Sequence, residues 1–286
     1  MTFRRDVELD PGQVEDRRGS RMAGGGLAMG GGLGTIIILA ALLLFNIDLR
    51  SLGINAPAPD GPVGSQAAAE CQTGADANER QDCRIVGTVN SLQEYWTDAF
   101  SAANQQYTAA TTVLFTDAVN TGCGGASSAV GPFYCPNDQK VYIDLGFFNQ
   151  LESQFGAEGG PFAEMYVIAH EYGHHVQNLL GLLGQSQAGA EGTAVRTELQ
   201  ADCFAGVWAA NAVDTGFLEP ITRDQVNQAL DAASVIGDDR IQQQTQGQVN
   251  PETWTHGSSE QRQRWFTIGL ESGSANDCNT FEADDL

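Results

Sequence analysis

The chain has 286 residues and a formal charge of −22, from 14 basic and 36 acidic side chains. Residues 1–50 hold six Arg and six Asp or Glu, so the other 236 residues, with 8 basic and 30 acidic, carry the whole excess. The length allows one sizeable domain with appendages, and so acidic a surface repels nucleic acid and anionic lipid, which excludes a DNA- or RNA-binding role.

In chain order, residues 1–21 are polar and charged and read as a disordered cytoplasmic leader. Residues 22–47 carry no charge, and their core from Leu33 to Phe45 is strongly apolar. With the glycine-rich start included, that run supplies the roughly 20 residues of a spanning helix. Arg17, Arg18 and Arg21 precede it, so the positive-inside rule puts the N-terminus in the cytoplasm and the chain after about residue 48 outside. The rival is a cleaved signal peptide; the long charged leader and the lack of a small-x-small cleavage site favour an uncleaved anchor. Residues 48–70, rich in Pro, Gly and Ala, form a linker, and residues 71–286 the extracytoplasmic domain.

Within that domain, Ser91 with Glu94 forms a capping box for a first helix through Tyr95, Trp96 and Phe100. Val113-Leu114-Phe115 predicts a strand, Gly122 to Pro136 a loop with two cysteines, and Lys140 to Asp144 a second strand. Pro161 follows two glycines and opens a helix over residues 161–180, with Gly181 as its stop. Residues 181–193 predict a loop, Ala194 to Ala212 a helix, and Thr222 to Ile236 another closed by Gly237. Residues 238–253 are polar and Gln-rich and read as loop; Ser258 with Gln261 caps a last helix through Trp265 and Leu270. The fold class is α+β, mainly helical, with a small sheet ahead of the helix at 161–180.

None of the six cysteines forms a C-x-x-C pair, which argues against a zinc cluster or a thioredoxin-like motif. An even count outside the cytoplasm suggests disulfides. The local pairing is Cys71–Cys83, Cys123–Cys135 and Cys203–Cys278; the other possibility for Cys203 is a buried free thiol.

The chemistry concentrates in His170-Glu171-Tyr172-Gly173-His174-His175, which holds three of the four histidines. On a helix, His170 and His174 lie one turn apart on one face, so both imidazoles can grip one Zn²⁺ with Glu171 beside them as general base. His175 is about 100° further round and is not a ligand. Catalytic zinc takes three protein ligands. The metzincin option, His ten residues after the first with Gly at the seventh, fails because those positions are Leu180 and Gln177. Glu198, 24 residues after His174 on the next predicted helix, fits as third ligand. Asp202, four residues later, can orient one of the histidines from behind. Glu191, Glu164, Asp202 and His256 are the rival ligands. His256, just before the last helix, is placed to stabilise a tetrahedral oxyanion, with Tyr142 and Tyr172 as weaker choices. The strand at 140–144, if it forms an exposed edge, can bind an extended peptide.

An ordered set of further segments resembles the bacterial neutral zinc metallopeptidase family across nearly the whole chain. It runs from Val14-Glu15-Asp16-Arg17-Arg18-Gly19 through Gly131-Pro132-Phe133-Tyr134-Cys135-Pro136, Val141-Tyr142-Ile143-Asp144 and the histidine motif. Glu198-Leu199-Gln200-Ala201-Asp202-Cys203, His256-Gly257-Ser258-Ser259-Glu260-Gln261-Arg262 and Cys278-Asn279-Thr280-Phe281 complete it. The resemblance implies a membrane-anchored, zincin-like peptidase with one zinc per chain, a Glu third ligand, and a peptide or protein substrate. Two other readings share the motif: a hydrolase of cell-wall cross-link peptides, and a zinc-stabilised binding or assembly module without turnover. Glu171 separates the last from the others, because a structural site needs no base beside its ligands.

Overall fold

The computed structural model describes residues 2–19, 70–184 and 186–286. The expected anchor at 22–47 lies outside the described residues, as does the linker at 48–70 apart from Glu70; among the described residues, no helix is long and apolar enough to cross a membrane.

The architecture is mixed α and β, with helices around one four-stranded sheet and a separate hairpin. The strands are β1 (Val14–Asp16), β2 (Thr111–Phe115), β3 (Ala118–Thr121), β4 (Gly124–Ser127), β5 (Phe133–Cys135) and β6 (Lys140–Asp144). The sheet order is β1-β2-β6-β5, parallel except for the β5–β6 pair, while β3 and β4 form the hairpin. Side chains alternate along each strand. Leu114, Tyr134, Val141 and Ile143 face the main core, and Val113, Phe115, Phe133, Cys135 and Tyr142 face a smaller core shared with hairpin residues Val119 and Ala126. Phe133 stacks on Tyr142, its register partner, at 5.0 Å.

The helices are α1 (Gly74–Glu79), α2 (Gln81–Ala102), α3 (Gly146–Ser153), α4 (Pro161–Leu179), α5 (Thr193–Asn211), α6 (Arg223–Val235), α7 (Asp238–Gln246) and α8 (Ser259–Ser272). α4 lies at the centre, packed on α2, α5, α6 and the sheet. All but four of its 19 residues are buried, which explains why its apolar pattern runs round the helix rather than along one stripe. At its crossing with α5, Gly173 comes so close that a Cβ there would lie 2.9 Å from the Ala201 backbone. The α5–α8 crossing is equally tight: a Cβ on Gly206 would meet the Phe266 carbonyl, and one on Gly269 the Cys203 carbonyl. These small residues let three helices approach closely enough to share one set of polar side chains.

Several expectations need correction. Residues 2–19 are not a disordered leader. Phe3 is fully buried, Thr2 and Phe3 amides donate to Asn78 Oδ1, and Asn90 exchanges two hydrogen bonds with the Asp10 backbone. β1 pairs with β2 from Val14↔Thr112 to Asp16↔Leu114. Strands cannot pair across a bilayer, so a leader on the opposite side of a membrane from the domain does not fit this sheet. Ser91 is not a cap but lies inside α2, where its Oγ accepts from Trp208 Nε1 at 3.1 Å. The true capping box in this region is Thr73 with Asp76 on α1. The stretch 122–136 holds β4 and β5, residues 146–153 form the unforeseen α3, and the polar stretch after Gly237 forms α7. The Ser258–Gln261 cap stands as read, and a further capping box, Thr222 with Gln225, opens α6. The disulfides are Cys71–Cys83, Cys123–Cys135 and Cys203–Cys278.

Candidate metal centre

The α4–α5 crossing brings His170, His174 and Glu198 together. One potential ligand atom from each lies within 4.8 Å of the others, and all three residues are buried. His170 Nε2 is 3.2 Å from Glu198 Oε2, and His174 Nε2 is 3.6 Å from Glu198 Oε1. Glu198 Oε1 is sealed from solvent with no hydrogen-bond partner. A buried carboxylate oxygen without a donor is costly, and a divalent cation between the two imidazoles would satisfy it. Two nitrogens and one carboxylate oxygen are a donor set that suits catalytic Zn²⁺.

The charges around this point are coupled. Burial would raise Glu198, yet the neighbouring His174, His256 and His170 hold it well below the ordinary carboxylate range. Burial would lower His170, but the Asp202 and Glu198 carboxylates pull it up to about 10. A cation entering the site must displace that proton.

Behind His170, Nδ1 sits 2.8 Å from Asp202 Oδ1. Arg262 forks onto the same carboxylate, Nε to Oδ2 at 2.8 Å and Nη2 to Oδ1 at 2.9 Å, and the Tyr166 hydroxyl donates to Oδ1 as well. Burial would raise Asp202, but Arg262 and His170 hold it down to about 2. Asp202 thus sits against His170 Nδ1 and outside the His170–His174–Glu198 group. Tyr166 and Arg262 were missed as site residues. Tyr166 had a signal, since it lies one turn before His170 on the same helix. Arg262 had none locally, since its partner is 60 residues away.

Glu171 is buried, and burial is the main cause that raises its pKa. It lines a cleft with His170, His174, Glu198, His256 and Arg262 at its polar end. The rest of that cleft is apolar, walled by Val130, Phe133, Phe147, Phe155, Val167, Ile236 and Ile241. His256 Nδ1 lies 2.9 Å from Thr255 Oγ1 and 3.6 Å from Asp238 Oδ1. Asp238 Oδ2 accepts three backbone amides, from Thr255, His256 and Gly257, and so fixes the turn that carries the ring. Burial would lower His256, but Glu198 and Asp238 raise it, which favours a protonated ring.

The other candidates fall away. Glu164 is tied to Arg84 at 2.7 Å, and Glu191 is exposed on the loop before α5. The Tyr172 hydroxyl meets Thr112, and the Tyr142 hydroxyl donates to Asp138, so neither serves the cleft. His175 is not in the cluster; its Nε2 donates to the Thr108 carbonyl at 2.6 Å and its Nδ1 faces the Tyr134 hydroxyl at 3.0 Å. β6 is an inner strand, so the edge expected there belongs to β5, whose Phe133 lines the cleft.

Two histidines one turn apart and a carboxylate from the next helix form a group that could hold a metal ion, with a buried glutamate beside them. In keeping with this, residues 1–281 match the family described as "Putative neutral zinc metallopeptidase", and the chain belongs to that family. The uncharacterized protein Rv2575 of Mycobacterium tuberculosis is 57% identical over 227 residues, 76% of each chain. The uncharacterized protein YpfJ of Escherichia coli K12 is 40% identical over 284 residues, 94% of this chain and 95% of the relative. No solved structure matches the chain significantly.

Proposed function

We propose that the protein is a zinc-dependent endopeptidase in which His170, His174 and Glu198 hold the metal and Glu171 is the general base. The observation that carries this is the convergence of those three buried ligand atoms on the orphaned Glu198 Oε1, with Glu171 on the adjoining turn. Zinc held there would polarise a scissile carbonyl and make a nearby water acidic. Glu171, kept basic by burial, takes the proton of the attacking water and delivers it to the leaving amine. His256, its ring held by the Asp238 turn, donates to the developing oxyanion. Asp202, with Arg262 behind it, keeps His170 Nε2 aimed at the metal. The apolar wall from Val130 to Ile241 supports substrates with a bulky apolar side chain next to the scissile bond.

Three disulfides support an oxidising compartment, outside the cytoplasm. The uncharged run at residues 22–47 supports attachment to a membrane.

The test uses the purified full-length protein, because a version starting at residue 51 would lack β1. Wild type should carry one zinc per chain, Glu198→Ala should lose it, and Glu171→Gln should keep it while losing cleavage of unfolded casein. Wild type without zinc, or cleavage that survives Glu171→Gln, would overturn the assignment.

A further inference from the structure

His174 is supported quite differently from His170. Its Nδ1 lies 2.8 Å from Gln177 Oε1. The Gln177 amide nitrogen donates to the Thr197 carbonyl at 2.7 Å and to Gln200 Oε1 at 3.0 Å. The Gln200 amide nitrogen donates in turn to the Cys278 carbonyl at 2.9 Å. All three side chains are buried, so water cannot substitute for a lost partner.

The order of donors along this chain is forced. Backbone carbonyls can only accept. The Cys278 carbonyl therefore turns the Gln200 NH₂ toward itself and the Gln200 oxygen toward Gln177. The Thr197 carbonyl independently turns the Gln177 NH₂ the same way. Gln177 then shows only its oxygen to His174, so the neutral imidazole must carry its proton on Nδ1. Nε2 is left with a lone pair on the side of Glu198. The far end is fixed covalently, because Cys278 is bonded to Cys203 on α5. The tail beyond it is clamped to the same helix by Arg196, which donates to the Ala283 carbonyl at 3.0 Å and to the Thr280 carbonyl.

We propose that Gln177 and Gln200 are positioning residues for the metal: they lock His174 in the Nδ1–H tautomer and tie its ring to the disulfide-held C-terminal tail. This rests on the reading of His170, His174 and Glu198 as the zinc site, and the two ideas fail separately.

The first measurement is a long-range ¹H–¹⁵N spectrum of the histidine rings in metal-free wild-type protein near pH 8. The expected result is a His174 ring protonated on Nδ1; an Nε2–H ring overturns the proposal whatever the protein's zinc content. The second is zinc affinity by chelator competition for Gln177→Met, which keeps the bulk and removes the acceptor. Affinity should fall about 10–100-fold, as for other lost partners of metal-bound histidines. Gln200→Met should fall less, because Thr197 still holds Gln177. Unchanged affinity in a folded Gln177→Met overturns the proposal, whereas a wild type that binds no zinc overturns the metal reading instead.

Discussion

His170 and His174 stand one turn apart on one helix, yet their rear nitrogens meet opposite kinds of partner. Behind His170 is charge: Asp202, forked by Arg262 and capped by Tyr166. Behind His174 are neutral amides ending on a carbonyl. The charged support raises the basicity of the ring it holds; the amide support sets a tautomer without adding charge to a site that already contains Glu171 and Glu198. Two ionic supports would place four carboxylates around one metal, and the second would need a cation of its own. The difference shows how a buried centre can orient two ligands with only one buried ion pair.

The largest effect should come from breaking the charged support. Arg262→Met strands Asp202 in the core and should cost about 3–5 kcal/mol in urea unfolding. The double variant with Asp202→Asn should recover part of that loss; simple additivity would show that the two groups do not act as a pair. Next comes pH. Asp202 is depressed from 3.8 to about 2, so its contribution is present above pH 4 and lost as pH falls toward 2. His170 is raised from 6.5 to about 10, so in metal-free protein its contribution is complete below pH 6.5 and lost as pH rises through 10. Thermal melts of the metal-free protein should therefore be highest between about pH 4 and 6.5, and Asp202→Asn should flatten both limbs. Zinc affinity should run the other way on the high side, weakening as pH falls from about 10 because His170 must give up its proton. Gln200→Leu should be milder, about 1–3 kcal/mol for one unmet Gln177 N–H and the unmet Cys278 carbonyl. A loss equal to that of Arg262→Met would erase the distinction between the two supports. The smallest effect is remote from both: Thr222→Ala removes the α6 cap at about 1 kcal/mol and should leave zinc affinity unchanged.

The parts of the site that were legible in the sequence are those with helical period. His170, Glu171 and His174 follow from spacing on α4, and Glu198 with Asp202 from the same spacing on α5. Gln177, Gln200 and Arg262 were not legible as supports, because a glutamine or arginine in a buried helix has no local signature and its partners are fixed by tertiary packing. In the fold, a cap that stands at a real terminus, Ser258, was readable. Ser91 shows the limit: the same letters inside α2 serve Trp208 and Thr215 instead. α7 was hidden because only Asp238, Ile241 and Gln242 of its nine residues are buried. β1 was hidden because three residues find their partner about 100 positions later, which no local pattern encodes.

The ordered leader ends where the main body begins. Arg18 pairs with Asp82, Asp82 with Arg80, and Arg80 with Glu70, so Gly19 and Glu70 border one surface depression. Gly19 and Glu70, the described residues on either side of positions 20–69, therefore lie at one place on the body. Seen as chain connectivity, the described body is continuous across that place, held there by the Arg18–Asp82–Arg80–Glu70 pairs. A short Gly-Ser bridge from Gly19 to Glu70 should close the same fold, giving a compact protein in which the metal centre can be studied apart from the apolar run.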